Sequence, residues 1–137
     1  MFMVSSRGFN EWIIDSGATS HVTSNKSYFT TFEHTTSTSL NVANGEKVNI
    51  QGKGTCKLEF VNSDGIESSA IVTDVLYAPE INGNLLSVKK LIDKGLSVNF
   101  SGSLCKIKKN EKQIAIAKAN GNLFKLRQPN KVYGMKV

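Results

Sequence analysis

The sequence contains no long hydrophobic segment. No apolar run approaches the ~18 residues that a membrane-spanning helix requires. The apolar start of the chain, Met1 to Val4, is also too short to be the core of a secretory signal peptide. We therefore expect a soluble chain that is not secreted and has no membrane partner.

Cysteine is scarce as well, with only Cys56 and Cys105. The two residues are far apart, neither belongs to a C-x-x-C pair, and no histidine lies at ligand spacing from them, so the sequence gives no support for a metal site. We predict two buried free thiols in a reducing compartment. No motif requires a cofactor, and we expect none.

The 137 residues are 39% hydrophobic and 20% charged, a composition typical of one globular domain. The net charge of +6 is uneven, because residues 1–88 carry −4 and residues 89–137 carry +10. Lysines alternating along a predicted hairpin could contact nucleic acid, but alternation of this kind is more typical of a solvated sheet face or a protected edge. We do not expect a nucleic-acid partner. These lysines are Lys106, Lys108, Lys109, Lys112 and Lys118.

Short alternating runs bounded by turn residues predict a mostly β chain. The dipeptide Asn44-Gly45 is a strong signal for a tight hairpin. One helix is predicted over residues 85–94, where apolar side chains recur at helical spacing and Gly95 follows. The hydroxyl-rich run 35–39 is predicted to be a loop. The predicted strands are 11–15, 40–42, 47–50, 55–60, 66–73, 74–79, 96–100, 104–108, 113–117 and 123–126.

The stretch from Trp12 to Thr19 places an acidic residue directly after an apolar run, an unusual position for a charged side chain. Three apolar residues form a predicted core strand that ends at Asp15, and Ser16 and Gly17 then turn the chain. Burying a carboxylate without partners is unfavourable, so a half-buried position suits a carboxyl whose pKa is tuned by a neighbour. From the tetrapeptide alone, an ordinary strand followed by an Asp-Ser-Gly turn is the better interpretation.

Over a longer stretch the sequence resembles the retropepsin-like aspartic proteases, and among them the copia-type retrotransposon proteases of Gag-Pol polyproteins. Residues 12–21 are similar to the family's catalytic segment, whose core is Asp-Thr/Ser-Gly-Ala. Residues 76–79 and 84–88 resemble the segment that enters the family's helix, and residues 121–126 resemble its junction with the next part of the polyprotein.

The resemblance implies three parts of the chain: a linker or N-terminal segment at residues 1–9, a protease domain at 10–127, and a tail toward the next polyprotein region at 128–137. It also implies an all-β, retropepsin-like closed β-barrel with one short α-helix. The activity implied is that of an aspartic endopeptidase that processes a Gag-Pol polypeptide in the cytoplasm, within virus-like particles.

Proteolysis of this type uses two carboxyls that share one proton. The sequence has a single Asp-Ser-Gly, and a symmetric homodimer is the simplest way to bring two copies together. Asp15 is then the catalytic residue, supported by Ser16, Gly17 and Ala18. By the resemblance, the Asn44-Gly45 hairpin lies where the family has a flap over the substrate. We predict that the flap tip is Ala43, Asn44, Gly45 and Glu46, with Val42 and Val48 as apolar contacts.

Two alternatives stay open. One is a domesticated or inactive binding module of the same fold, which could contact nucleic acid through its basic C-terminal hairpin. The weaker one is a serine hydrolase that uses Ser16 or Ser20 with His21, although neither serine lies in a G-x-S-x-G elbow. We predict that His21 and His34 are loop residues without a catalytic role.

Overall fold

The computed structural model of the protein describes residues 11–41 and 47–129. Within these ranges the chain consists of strands, one short helix and a 3-10 turn at Lys26–Tyr28, so the prediction of an all-β chain with one short helix is confirmed. The strands are β1 (Trp12–Asp15), β2 (His21–Thr23), β3 (Phe29–Asn41), β4 (Lys47–Val61), β5 (Glu67–Tyr77), β6 (Asn84–Ser87), β7 (Ser97–Ser101), β8 (Leu104–Lys109), β9 (Lys112–Asn120) and β10 (Leu123–Leu126), and the helix is α1 (Val88–Asp93).

The described strands form one sheet in the order β3-β4-β5-β2-β6-β1-β10-β9-β8-β7. β3 and β7 are the two ends of this order, so the hydrogen-bonded ladder is open among the described residues and differs from the closed barrel that the resemblance implied. Most neighbours are antiparallel, but β1 pairs in parallel with β6, and β2 pairs in parallel with β5.

The largest buried cluster brings together strands that are not neighbours in the sheet. Side chains from β4, among them Leu58, pack in the same buried cluster as Ile107 of β8 and Ala115 of β9, although β4 pairs with neither strand. The end of β4 is also joined to the segment after β10, because the main-chain N–H of Val61 donates to the carbonyl oxygen of Arg127 at 2.9 Å. Burial of a large apolar side chain such as Leu58 or Ile107 contributes about 1.5–3 kcal/mol to stability.

Cys56 and Cys105 are free thiols in this core, as predicted. Burial raises the pKa of Cys56 to about 12 and that of Cys105 to about 11. Both thiols therefore stay protonated at neutral pH and act as small apolar side chains.

The helix is shorter than the prediction of residues 85–94. Residues 84–87 form β6 instead, and α1 begins at Val88. All four residues of β6 are buried, and β1 and β2 flank it in the sheet. A strand that is buried on both faces shows no apolar alternation, so its sequence cannot be distinguished by period from the first turn of a helix.

Two other predictions about local structure were wrong. The predicted loop at 35–39 belongs to β3, whose pairing with β4 shifts register between His34 and Thr38. Threonine is compatible with a strand because its branched side chain fits a pleated surface. The predicted strands 66–73 and 74–79 form the single strand β5, with an irregularity at Asp74, whose φ is 57°.

Candidate functional site

Asp15 is the last residue of β1. The three residues before it are buried, Asp15 itself is half-buried, and Ser16 and Gly17 are exposed. The main-chain N–H of Gly17 donates to Oδ1 of Asp15 at 2.8 Å, and the N–H of Ala18 donates to its carbonyl oxygen at 3.4 Å. A hydrogen bond from a main-chain N–H to a carboxylate orients it. The strand therefore presents one oriented carboxylate at the edge of the core.

The residues that follow Asp15 have to pass over the end of another strand. β6 lies between β1 and β2, the two strands that residues 16–20 connect. We call residues 16–20 the Asp15 loop. Because neighbouring strands are about 4.8 Å apart, the loop spans about 10 Å across the end of β6. The parallel register places Ser87, the last residue of β6, beside Asp15.

Ser87 ties the Asp15 loop to β6 and to the helix. Its Oγ donates to the carbonyl oxygen of Ala18 at 2.7 Å and accepts from the N–H of Lys90 at 3.1 Å. The second bond makes Ser87 the N-cap of α1, a role in which replacement by alanine typically costs about 1 kcal/mol. One hydroxyl thus stabilises both the helix start and the loop.

His21 holds the other side of Ser87. Its ring is buried, and Nδ1 accepts the main-chain N–H of Ser87 at 2.9 Å. Burial lowers the pKa of His21 to about 4, with the charge of Lys90 acting in the same direction and the charge of Asp74 opposing the shift. The ring is therefore neutral at pH 7, with its proton on Nε2.

We expect the stability of the protein to fall in mild acid because of His21. The pKa is about 4 in the folded chain against an ordinary value of 6.5, so the unfolded chain binds more protons between these values. The contribution, on the order of 3 kcal/mol, is present above pH 6.5 and is lost as the pH falls toward 4. Urea unfolding measured across this range checks it. The loss should shrink in His21→Asn and persist in His34→Asn, and an equal loss in both variants would contradict the assignment.

A second set of polar contacts fixes the opposite end of β6. The hydroxyl of Thr23 donates to Oδ1 of Asn84, and Nδ2 of Asn84 donates to the carbonyl oxygen of Glu11 at 2.9 Å. Thr23 and Asn84 are fully buried. These bonds connect β2, β6 and the start of β1, so both ends of β6 are fastened to the strands that carry the Asp15 loop.

Of the residues predicted to form the flap, the structure describes only Val48. Val42, Ala43, Asn44, Gly45 and Glu46 lie outside the described residues. Val48 is described and buried, in a cluster with Ile50, Val22, Ala78 and Ile81. The cluster joins the β3–β4 arm to β2, the strand that follows the Asp15 loop. The pairing of Asn41 with Lys47 shows that the β3–β4 ladder reaches the ends of the segment that was predicted to be the flap tip.

Two cavities among the described residues lie away from Asp15. A cavity of about 490 Å³ lies among α1, β4, β5, β8 and β9, and a smaller one of about 320 Å³ lies beside Phe32 and Gly54. Asp15 lines neither of them.

The lysines of the C-terminal hairpin lie mainly on the outer side of the sheet. The strand register puts Lys106, Lys108 and Lys118 on the face opposite Ile107 and Ala117, which are in the core. Lys106 and Lys118 are exposed, and Lys108 is half-buried. This placement is typical of a solvated face.

The sequence prediction missed several residues around Asp15. His21 was predicted to lie in a loop, but it is a buried residue of β2, and His34 lies in β3. Ser87 was assigned to a helix interior rather than to a cap. A Ser before the apolar-periodic residues is an N-cap signal, so Ser87 could have been found. His21 could not, because its partner is 66 positions away.

The described residues contain no cluster of three or more metal-binding side chains. In the same residues, no helix is long and apolar enough to cross a membrane.

The serine-hydrolase alternative requires His21 to act as a base. Nδ1 of His21 accepts from a main-chain N–H, which leaves this nitrogen unsuited to act as a base toward Ser16 or Ser20.

Comparison with known proteins places most of these elements in one family. Residues 12–96 match the model of the family described as "Pol polyprotein, beta-barrel domain". A stretch of 93 residues is 32% identical to the "Retrovirus-related Pol polyprotein from transposon RE1" of Arabidopsis thaliana. The alignment covers 66% of this chain and 6% of that relative, so the chain corresponds to a small part of the relative's length. No solved structure matches the chain.

Proposed function

Because the chain belongs to the family of Pol polyprotein β-barrel domains and is similar to a transposon Pol polyprotein, we propose that it is a retropepsin-like aspartic endopeptidase of the copia type. Its substrate is the Gag-Pol polyprotein of a retrotransposon. The observation that carries the proposal is the position of Asp15, an oriented carboxylate at the end of a buried strand.

The chemistry requires two carboxyls. Hydrolysis of a peptide bond needs a base that takes a proton from water and an acid that polarises the carbonyl and protonates the leaving nitrogen. Two adjacent carboxyls serve both purposes, since like charges disfavour double ionisation and leave one group protonated. The bond from Gly17 N–H to Asp15 Oδ1 orients one carboxyl of such a pair.

A symmetric homodimer supplies the second carboxyl. The sequence has one Asp-Ser-Gly, and no described carboxylate is hydrogen-bonded to Asp15. A two-fold axis beside the Asp15 loop brings Asp15 of each chain together. The exposed hydroxyl of Ser16 would then bond to the partner's loop and fix the distance between the carboxylates. Catalysis on this basis needs no metal or cofactor.

The β3–β4 arm is the proposed flap. The ladder pairs Asn41 with Lys47, so residues 42–46 connect the two strands and contain the hairpin dipeptide Asn44-Gly45. An arm of this kind closes over an extended peptide and excludes water from the reaction. The polyprotein is the partner that this arm would cover, and the location would be the cytoplasm, within virus-like particles.

The dimer makes the activity dependent on concentration. We expect the cleavage rate per chain, measured on a Gag-Pol fragment, to fall as the protein is diluted below the dissociation constant of the dimer. Sedimentation over the same concentrations should show monomers appearing in parallel. A rate per chain that stays constant while the protein becomes monomeric would contradict a shared site.

A binding module without proteolysis is the second candidate, and the face that carries Lys106, Lys108 and Lys118 favours it. Such a surface would bind nucleic-acid phosphates with an affinity that falls steeply with salt. Tight, salt-dependent binding together with no cleavage of the polyprotein would favour this candidate over the protease.

A further inference from the structure

The Asp15 loop has few bonds of its own. Within residues 16–20, the described hydrogen bonds back to β1 are those from the N–H groups of Gly17 and Ala18 to Asp15. Both bonds join residues two or three positions apart, so they shape the turn without fixing it to the rest of the sheet. The bond that crosses from the loop to β6 is the one from Ser87 Oγ to the carbonyl oxygen of Ala18.

Ser87 connects the Asp15 loop to the elements around it. It is fully buried, and its three bonds reach three different elements: the loop at Ala18, the helix at Lys90, and β2 at His21. A buried hydroxyl with both a donor bond and an acceptor bond has one allowed orientation. The carbonyl oxygen of Ala18 is therefore held at a fixed place relative to the strand that carries Asp15.

We propose that Ser87 and His21 are positioning residues that hold the Asp15 loop in the geometry needed for cleavage, with His21 as the acid-sensitive part of this anchor. The inference rests on the proposed function, since it assigns the two residues a purpose in that reaction. Neither residue touches the substrate; both act on Asp15 through the main chain of the loop.

The acid sensitivity follows from the direction of one hydrogen bond. Nδ1 of His21 accepts the N–H of Ser87, and a protonated ring would place a second donor against that N–H. The bond would be lost and two donors would face each other. The charged groups that act on His21 are Lys90 from α1, which opposes protonation, and Asp74 from β5, which favours it. Because burial and these charges set the pKa of His21 at about 4, the anchor stays intact down to that pH.

NMR relaxation of the full chain tests the anchor without relying on cleavage. In Ser87→Ala, we expect the order parameters of Gly17 and Ala18 to fall from about 0.85 to below about 0.6, while those of β4 and β5 stay unchanged. The control is Ser63→Ala, which removes a similar hydroxyl-to-carbonyl bond, that from Ser63 to Gln113 at 2.9 Å. Order parameters in Ser87→Ala that match those in Ser63→Ala would overturn the inference.

Histidine variants test the pH dependence. In wild type, the order parameter of Ala18 should fall as the pH is lowered through the pKa of His21, about 4. In His21→Asn, the amide oxygen can accept from Ser87 N–H in place of Nδ1 but does not titrate, so the order parameter should stay high. His34→Asn should behave as wild type. A fall of equal size at the same pH in wild type and His21→Asn would overturn the role of His21.

Cleavage assays show whether the anchor serves catalysis. Ser87→Ala should lower kcat by about a hundredfold with little change in KM, because a small displacement of the reacting group acts on the chemical step. Unchanged kcat in Ser87→Ala beside an active wild type would overturn the catalytic purpose of the anchor. If wild type and Asp15→Asn are equally inactive, the proposed function fails, whereas the order parameters still decide the anchor itself.

Discussion

Replacing Asp15 by asparagine should lower the rate of polyprotein cleavage by about 10²–10⁴-fold, because this is the usual contribution of general acid and base catalysis by a positioned group. An amide neither accepts a proton from water nor shares one with a second carboxyl. The fold should be unaffected, because Oδ1 of the asparagine can still accept the N–H of Gly17.

The matched control is Asp93→Asn. Asp93 lies on α1, is exposed, and pairs with Lys89 at 3.0 Å, and an exposed pair of this kind contributes only about 0.3–0.5 kcal/mol. We expect the control to cleave at the wild-type rate. Equal cleavage by wild type and Asp15→Asn, at equal thermal stability, would remove Asp15 from the mechanism.

Replacing Gly54 by alanine should lower the free energy of unfolding by about 3 kcal/mol, the upper end of the range for overpacking, because the neighbouring atoms are rigid. A Cβ at this position would overlap the carbonyl oxygen of Thr31 and lie 3.0 Å from the Cα of Phe32. Both are main-chain atoms, so the clash can be relieved only if β3 and β4 separate. These strands carry the proposed flap.

Gly102→Ala provides the comparison for Gly54→Ala. Gly102 has a φ of 61°, and no atom lies within 4 Å of the place that its Cβ would occupy. Alanine there therefore meets only backbone strain of about 1–2 kcal/mol. Urea unfolding of both variants should rank Gly54→Ala as the more destabilised. If Gly54→Ala loses no more stability than Gly102→Ala, the close approach of β3 to β4 is not present in the folded protein.

The structural role of Gly52 and Gly54 differs from the role that the sequence alone suggests. Two glycines near a hairpin indicate a flexible base for a moving arm. In the structure they lie inside β4, where Phe32 and the main chain of Thr31 leave no room for a side chain. They are required for close strand packing, a property that depends on β3 and is not encoded near the glycines.

The position of Asp15 could be predicted from local sequence. An apolar run that ends in Asp-Ser-Gly indicates a buried strand followed by a turn, and the structure places Asp15 at the end of β1. The hairpin of β8 and β9 and the strand β10 follow from alternation in the same way. These elements are determined by neighbours within a few residues.

The surroundings of Asp15 could not be predicted, because they are made by distant parts of the chain. Leu85 and Leu86 belong to a strand rather than to a helix only because β1 and β2 enclose them. His21 becomes a buried acceptor only when Ser87 is placed beside it. The sequence indicated the reacting group, while the contacts that position it depend on the order of strands in the sheet.

The central claim is that one active site contains Asp15 of two chains, and mixing tests it most directly. Wild type and Asp15→Asn are equilibrated at a fixed total concentration at which the protein is dimeric, and cleavage is measured against the fraction of wild type. With random pairing, only dimers of two wild-type chains are active, so an equal mixture should retain about a quarter of the wild-type activity. Retention of about half, falling in proportion to the wild-type fraction, would show that each chain cleaves alone and would contradict the shared site.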